Sequence, residues 1–134
     1  MKDCVFCKIV SGEFPCYKIY EDDYTLAFLD IAGDCYGHTL VVPKKHCQNI
    51  LDCDGETLAR VTATVQKVAQ HFVKCGFEGV NVLNANGACA EQSVFHLHVH
   101  VIPRAPQDGI EAWPFKDKHD FDMQSVCDRL TMCK

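Results

Sequence analysis

The sequence has no apolar run long enough to cross a membrane and no concentrated block of basic residues. Its 18 acidic residues outnumber its 13 basic ones, which gives a formal net charge of −5. The densest basic stretch is the pair Lys44-Lys45. A protein that coats nucleic acid or binds an anionic membrane surface needs a basic patch, so we expect neither partner. A small phosphate-bearing ligand is compatible with this charge.

The sequence also lacks a signal-peptide core near its N-terminus, internal repeats, low-complexity segments and linkers. We therefore expect an intracellular protein of the cytoplasm, with the nucleus open as a further compartment. A length of 134 residues with 48% hydrophobic and 23% charged residues is ordinary for one soluble domain. Residues 1–134 are predicted to form that single domain.

Cysteine is present in excess, with ten residues. In a secreted protein this number would indicate a disulfide framework, but the missing signal sequence favours reduced thiols. Eight of the ten are scattered without a repeating spacing, so most are expected to be structural. Cys4 and Cys7 differ, because a CxxC spacing lets two thiolates converge on one tetrahedral metal ion. The alternative is two unrelated thiols.

A tetrahedral structural zinc site would need two ligands besides this pair, and imidazoles are the natural ones. Of the seven histidines, His71 lies at the edge of the apolar stripe of a long predicted helix. His119 lies in a polar tail, which makes both poor candidates. His46 follows a predicted strand in a loop, which is a favourable position for a ligand. The spacing alone leaves the full ligand set open.

The pattern of apolar residues predicts an α+β fold, with an antiparallel sheet, one long helix and a short N-terminal helix. The long helix begins at Asp54-Gly55, carries apolar residues at steps of three and four, and ends before Gly76. A last helix is predicted from about residue 122. The short first helix is expected over residues 4–11, and strands over residues 16–21, 25–29, 38–42 and 80–83.

Three histidines, His96, His98 and His100, recur at every second position. In β geometry they would project from one face of a single strand, which Pro103 is expected to end. Because the imidazole pKa is the side-chain pKa nearest neutrality, such a row can divide the roles of nucleophile, proton donor and metal ligand. The alternative is a half-exposed strand that is rich in histidine by chance.

Four segments carry a resemblance to a known family. They are residues 4–9 (CVFCKI), 28–31 (FLDI), 37–46 (GHTLVVPKKH) and 92–103 (QSVFHLHVHVIP). Together they resemble the histidine-triad (HIT) family, in its branch of small dimeric nucleoside phosphoramidate hydrolases. The resemblance covers roughly residues 4–104. It implies a HIT-like fold with a variable C-terminal tail from about residue 105.

The resemblance implies a nucleotide hydrolase or transferase that cleaves adenosine 5′-phosphoramidates, such as AMP-NH2 and AMP-lysine, or the related aminoacyl-adenylates. His98 would attack the α-phosphorus and form a covalent nucleotidyl-histidine. A neutral imidazole is a good nucleophile and a good leaving group, so one hard displacement becomes two easier steps. His100 would contact the phosphate, His38 would be a fourth histidine of the cluster, and Ser93 would deliver a proton to the leaving amine.

The resemblance also implies a set of nucleotide contacts. Asp30 would accept hydrogen bonds from both ribose hydroxyls, although its position alone also suits an ordinary turn residue. Phe28 and Ile31 would line the base pocket, with Asn84 and Gln92 on the phosphate side. The full expected nucleotide-binding set is Phe28, Asp30, Ile31, Asn84, Gln92, Ser93, His98 and His100.

Family members that share this N-terminus hold a structural zinc ion, and the implied ligands here are Cys4, Cys7, His46 and His96. The resemblance further implies a homodimer, in which Trp113 of the tail would approach the neighbouring pocket; an exposed tail tryptophan without that role is the alternative. The chain departs from the family pattern at Glu91, where glycine is expected. A carboxylate there would narrow the leaving-group side or repel anionic substrates.

Three other functions stay open at this point. A dinucleoside polyphosphate hydrolase would use the same nucleophile, and only its products would differ. A nucleotide-binding interaction protein would turn substrate over incidentally. A zinc hydrolase with three histidines around a metal-bound water is the weakest of these, because it leaves Cys4 and Cys7 unexplained.

Overall fold

A five-stranded antiparallel sheet, with strand order β1-β2-β3-β5-β4, forms the centre of the computed structural model. The structure describes residues 3–113, 115 and 117–132. The helices are α1 (Val5–Val10), α2 (Gly55–Lys74) and α3 (Met123–Leu130). The strands are β1 (Lys18–Glu21), β2 (Thr25–Leu29), β3 (Thr39–Pro43), β4 (Gly79–Leu83) and β5 (Val99–Arg104), with a 3-10 turn at Ala88–Ala90. The predicted α+β class with an antiparallel sheet is confirmed.

The long helix α2 covers one face of the sheet. Its N-cap Asp54 accepts a hydrogen bond from the backbone N–H of Thr57, and Gly76 follows its C-terminal end at a φ of 106°, as predicted for a C′ glycine. The predicted apolar stripe is buried except at Leu58, which is half-buried. It packs against the inner side chains of three strands, and the main core contains Ala27, Val41, Val61, Val65, Val68, Phe72, Leu97, Val99 and Val101.

The short helix α1 covers part of the opposite face. Successive strand residues point to opposite faces, so Phe28 and Leu40 face away from α2. Their side chains pack with Phe6 of α1 in a second, smaller core cluster. The ring of Phe6 meets that of Phe28 edge-on, with centroids 5.5 Å apart. This contact fixes α1 beside the segment that follows β2.

The three histidines do not share one strand, so that prediction is wrong. Only His100 lies in β5; His96 lies in a bend and His98 in irregular chain, both outside the ladder. The reason is that β3 and β5 pair over three residue pairs only. Beyond them, the backbone carbonyl of Pro43 accepts a hydrogen bond from the His96 imidazole Nε2 at 2.8 Å, in place of a ladder bond.

Pro103 does not end the strand, which is a second correction. β5 continues to Arg104, and Pro103 is paired with Val80 of β4. Pairing with β3 has already stopped at Val101, so residue 103 has a neighbouring strand on one side only. Such an edge position tolerates a residue without a backbone N–H. The other strands lie within one or two residues of their predicted bounds.

The last helix lies where the sequence predicts it, and the described cysteines form no disulfide bonds. α3 begins after the N-cap Asp122, where the last helix was predicted. Within the described residues, none of the helices is long and apolar enough to cross a membrane. The nine described cysteines are free thiols, and Cys133 lies outside the described residues.

Candidate functional site

Three histidines from two distant segments of the sequence meet where β3 begins. His38 immediately precedes β3, His98 immediately precedes β5, and His100 lies in β5 opposite Leu40. The His38 Nε2 and His100 Nδ1 atoms are 2.8 Å apart. The ring centroids of His98 and His100 are separated by 5.0 Å. Antiparallel pairing of β3 with β5 therefore assembles the cluster that the resemblance implied.

His98 is a buried, neutral imidazole held on three sides. Its Nδ1 lies 2.8 Å from the backbone carbonyl oxygen of His96, so Nδ1 carries the proton and donates, and Nε2 keeps its lone pair. Burial lowers the pKa of His98. Phe6 packs edge-on against the ring at 5.1 Å, and the Asn84 amide donates to the His98 backbone carbonyl at 2.9 Å. The available Nε2 has the protonation state that a nucleophile needs.

A chain of hydrogen bonds runs from Asp34 through His38 to His100. The Asp34 carboxylate oxygen lies 2.8 Å from the Nδ1 of His38. Burial, with the neighbouring His98 and His38, lowers the pKa of His100 to about 4, so His100 is neutral in the free protein. Sequence reasoning did not single out Asp34, because a lone acid in a loop beside glycine is an ordinary turn residue.

A cavity of about 370 Å³ adjoins His98 and His100. The structure brings together around it many of the residues that the resemblance placed in a nucleotide site, including Phe28, Asp30, Ile31 and Ser93. Its other wall comes from α1 and was missed, because apolar residues on a short helix look like core from sequence alone. The missed lining residues are Val5, Phe6, Ile9, Pro15, Cys16, Leu29, Ala32, Leu40 and Val94.

Asp30 supplies a carboxylate to this otherwise largely apolar cavity. One of its oxygens accepts a hydrogen bond from the backbone N–H of Ala32 at 2.8 Å. The other lies 3.8 Å from the Nε2 of His38. Ile31 lies at the rim and is 84% exposed, whereas Phe28 is buried in the floor. The cavity thus combines an apolar end with the Asp30 carboxylate, a hydrogen-bond acceptor, and the imidazole of His98.

The side-chain amide of Gln92 is fully hydrogen-bonded within the protein. The Gln92 amide is buried: its oxygen accepts from Asn49 and the Gly87 N–H, and its nitrogen donates to the carbonyls of Gln48 and Val94. A phosphate contact from Gln92 would require one of these bonds to break. Gln92 therefore holds the loop that presents Ser93, an exposed residue at the edge of the cavity.

A second cavity of about 680 Å³ lies on the other side of His100. Its lining carries several carboxylates and aromatic rings, including Asp34, Glu91, Glu111, Trp113 and Phe115. Glu91 has a φ of 69°, a left-handed conformation that glycine adopts without strain, which accounts for the glycine expected there. Trp113 lies beside the site of its own chain. Its approach to a neighbouring chain stays a prediction.

Cys4, Cys7, His46 and His96 converge at the N-terminus of α1, with one ligand atom of each within 4.8 Å of the others. The two histidine Nδ1 atoms are 3.1 Å apart, and three of the sulfur-to-nitrogen distances are 3.3–3.5 Å. With Zn–N near 2.1 Å and Zn–S near 2.3 Å, the edges of a tetrahedral site are about 3.4 Å for N–N and about 3.6 Å for N–S. The donor atoms therefore fit a zinc ion.

The surroundings of these four residues also favour a cation. His96 donates from Nε2 to the Pro43 carbonyl, which directs the lone pair of its Nδ1 at the cluster. Burial lowers the pKa of His96 to about 4, so the ring is neutral. Burial and the adjacent Cys4 thiol raise the pKa of Cys7, so a compensating positive charge is needed to hold two thiolates there.

Comparisons with known proteins agree with this geometry. A model of the HIT domain matches residues 11–107. The adenosine 5′-monophosphoramidase of Schizosaccharomyces pombe is 42% identical over 114 residues, which are 83% of this chain and 83% of that protein. A solved Streptococcus mutans protein superposes with a TM-score of 0.87 at 39% identity, covering 96% of this chain and 82% of its own. A zinc-bound histidine triad family protein from Mycobacterium smegmatis superposes with a TM-score of 0.79 at 40% identity, covering 87% of this chain and 85% of its own.

Proposed function

The chain belongs to the HIT domain family, and we propose that it hydrolyses adenosine 5′-phosphoramidates through a covalent nucleotidyl-histidine at His98. Relatives named as monophosphoramidases support a nucleotide hydrolase in general. The observation that carries the finer proposal is the buried, neutral His98, with an available Nε2 beside a cavity that also contains the Asp30 carboxylate. The cavity volume of about 370 Å³ lies within the usual range of small-molecule sites.

In the first step, the Nε2 of His98 forms a bond to the α-phosphorus and the bond from phosphorus to the leaving nitrogen breaks. The Ser93 hydroxyl, at the edge of the same cavity, donates a proton to the departing amine and regains one from solvent, to which it is exposed. The imidazole ring becomes cationic as it is phosphorylated. Its Nδ1–H already donates to the His96 carbonyl, and this bond strengthens as the positive charge develops.

In the second step, a water oxygen bonds to phosphorus while one proton of the water passes to the neutral His100 imidazole, the bond from phosphorus to His98 breaks, and AMP leaves. The electron pair returns to Nε2 and restores the neutral imidazole. Zinc, when bound by its four protein ligands, would supply structural cross-linking of α1 to the loop after β3 and leave no coordination position for water. The chemistry is therefore assigned to the histidines.

The second cavity favours an amine leaving group. Its lining includes three carboxylates, from Asp34, Glu91 and Glu111. A polyphosphate tail would be repelled by them, whereas a protonated amine would be attracted. This ranks dinucleoside polyphosphates below phosphoramidates as substrates.

The proposed function is tested by quenching the protein during turnover of AMP-lysine and measuring its intact mass. A nucleotidyl adduct on the peptide that contains His98 is expected, with AMP and lysine as products. The same assay with diadenosine polyphosphates is expected to give much slower turnover. An active protein that never carries the adduct would rule out the covalent route. Binding of AMP with no turnover of either substrate class would instead support the nucleotide-binding alternative.

Asp30→Ala is expected to discriminate between ribose and deoxyribose ligands. If the carboxylate accepts both ribose hydroxyls, its loss raises the Kd for AMP about tenfold or more, but the Kd for 2′-deoxy-AMP only about threefold, because the deoxy ligand lacks one donor. Calorimetric titration measures both constants. Asp23→Ala, at an exposed turn acid, is the matched control. Equal weakening of both ligands would show that Asp30 does not bind the ribose.

We also propose a homodimer formed through the edge of the sheet. β4 is an edge strand, with Val82 50% exposed, and unpaired strand edges attract a second strand. Val82→Lys is therefore expected to shift sedimentation from twice the 15.0 kDa chain mass to the mass of one chain. Ile19→Lys, on the opposite edge strand β1, is the matched control and should remain dimeric. A wild-type protein that sediments as a monomer at micromolar concentration would contradict the proposal.

A further inference from the structure

We propose that Asp34 is a positioning residue that fixes the tautomers of His38 and His100. Its catalytic consequence rests on the proposed function. Asp34 lies outside the four segments that resemble the family, in the loop between β2 and β3. The resemblance therefore assigns it no role, and the inference depends on the contacts of this chain alone.

The loop holds the Asp34 carboxylate in place before any ligand binds. The same carboxylate oxygen that contacts His38 also accepts a hydrogen bond from the backbone N–H of Cys35 at 2.9 Å. The loop ends at Gly37, with a φ of 78°, where a Cβ atom would lie 2.7 Å from the Cγ of Pro103. This close approach to β5 leaves the loop little freedom to move away from the histidines.

When each histidine carries a single ring proton, the chain of hydrogen bonds has one consistent set of proton positions. An ionised carboxylate only accepts, so the Nδ1 of His38 must carry a proton. The contact with His38 holds the pKa of Asp34 below its usual value, which keeps it ionised near neutral pH. In the proposed arrangement the Nδ1 proton is the only ring proton of His38, so its Nε2 accepts from the Nδ1–H of His100 at 2.8 Å. His100 is left with a lone pair on its Nε2.

Without the carboxylate, the opposite arrangement becomes accessible. His38 could carry its proton on Nε2 and donate it to the Nδ1 of His100, and His100 would then be protonated on Nε2. Asp30 does not replace Asp34, because its nearest oxygen lies 3.8 Å from the Nε2 of His38 and does not contact the Nδ1. Asp34 thus determines, through the tautomer of His38, which ring nitrogen of His100 is able to accept a proton.

The position of His100 makes its tautomer relevant to the second step of the proposed reaction. His100 lines both the nucleotide cavity and the acidic second cavity, so its ring lies where the amine departs and water enters. In the second step, a bare Nε2 accepts a proton from the attacking water while the oxygen bonds to phosphorus. The resulting imidazolium is stabilised through His38 by the charge of Asp34. Release of that proton to solvent restores the neutral ring.

The test compares Asp34→Ala and Asp34→Asn with Asp23→Asn, a change at an exposed acid outside the site. Long-range nitrogen-15 NMR of the histidine rings reads the tautomers directly. We expect wild-type His38 to be protonated at Nδ1, and Asp34→Ala to show a mixture at His38 and His100 with the other histidine signals unchanged. We expect kcat for AMP-lysine to fall about 10- to 100-fold with KM within about threefold, and Asp34→Asn, which can still accept a hydrogen bond, to lose less.

The outcomes separate the two proposals. A wild-type protein that does not turn over AMP-lysine would refute the proposed function, while the NMR measurement would still decide whether Asp34 fixes the tautomers. Unchanged tautomers in Asp34→Ala, or unchanged kcat in an active protein, would overturn the role of Asp34. A loss of kcat with no change in tautomer would assign Asp34 a different role and would also overturn it.

Discussion

His98→Asn is expected to lower turnover of an adenosine 5′-phosphoramidate by at least about a thousandfold, with the Kd for AMP changed by less than about tenfold. Asparagine removes the nucleophilic nitrogen, because a carboxamide has no basic lone pair. Its amide N–H can still donate to the His96 carbonyl, which is the bond that now orients the ring. The loss is therefore one of chemistry, while the cavity keeps its shape.

Two measurements make this expectation decisive. Single-turnover kinetics measures the chemical step separately from release of AMP, and thermal unfolding shows whether the variant is folded. His71→Asn, at an exposed position on α2, is the matched control and should retain wild-type turnover. Turnover by His98→Asn within tenfold of wild type would refute His98 as the nucleophile.

The parts of this protein that could be predicted from sequence are those whose chemistry depends on spacing or period. The apolar stripe of α2 and its C′ residue Gly76 follow from the helical period and from the conformational freedom of glycine. The pair Cys4 and Cys7 follows from the spacing that a tetrahedral ion requires. The structure brings His46 and His96 to this pair, as the resemblance implied.

The bounds of β5 could not be predicted, because they depend on tertiary hydrogen bonds. Alternation of apolar and polar residues predicts an extended chain, and residues 96–98 are not helical. Whether an extended segment joins a ladder depends on its neighbour, and here the Pro43 carbonyl is already bonded to the His96 ring. The same ring bond that removes His96 from the strand directs its Nδ1 toward the cysteines.

The roles of Asp34, Phe6 and Gln92 could not be predicted from the sequence for a different reason. An acidic residue in a loop, an apolar residue on a short helix and an amide before a serine each have an ordinary structural use. Their roles arise from the groups that they contact: the ring of His38, the ring of His98 and the backbone carbonyls of Gln48 and Val94, respectively. No local pattern encodes those contacts.

Loss of the proposed zinc ion is expected to lower the melting temperature by about 10–20 °C. Zinc at a thousand times its Kd stabilises a folded protein by about 4 kcal/mol, and for a chain of this size each kcal/mol shifts Tm by roughly 3–5 °C. The ion would link α1 to the loop after β3 and to the segment before β5, through Cys4, Cys7, His46 and His96. Cys4→Ser with Cys7→Ser, or removal of metal by a chelator, should produce this shift in a thermal scan.

The same variants separate a structural ion from a catalytic one. α1 also contributes Val5, Phe6 and Ile9 to the nucleotide cavity. Loss of zinc should therefore raise the Kd for AMP more than it lowers the rate of the chemical step at His98. A zinc-bound water as nucleophile would instead lose turnover completely and form no adduct on His98 in the loaded enzyme. Cys75→Ser and Cys89→Ser, at exposed cysteines outside the cluster, are the controls and should leave Tm unchanged. Protein purified without chelator that contains no zinc by elemental analysis would contradict the metal site, since thiolate and imidazole donors at these distances bind zinc tightly at neutral pH.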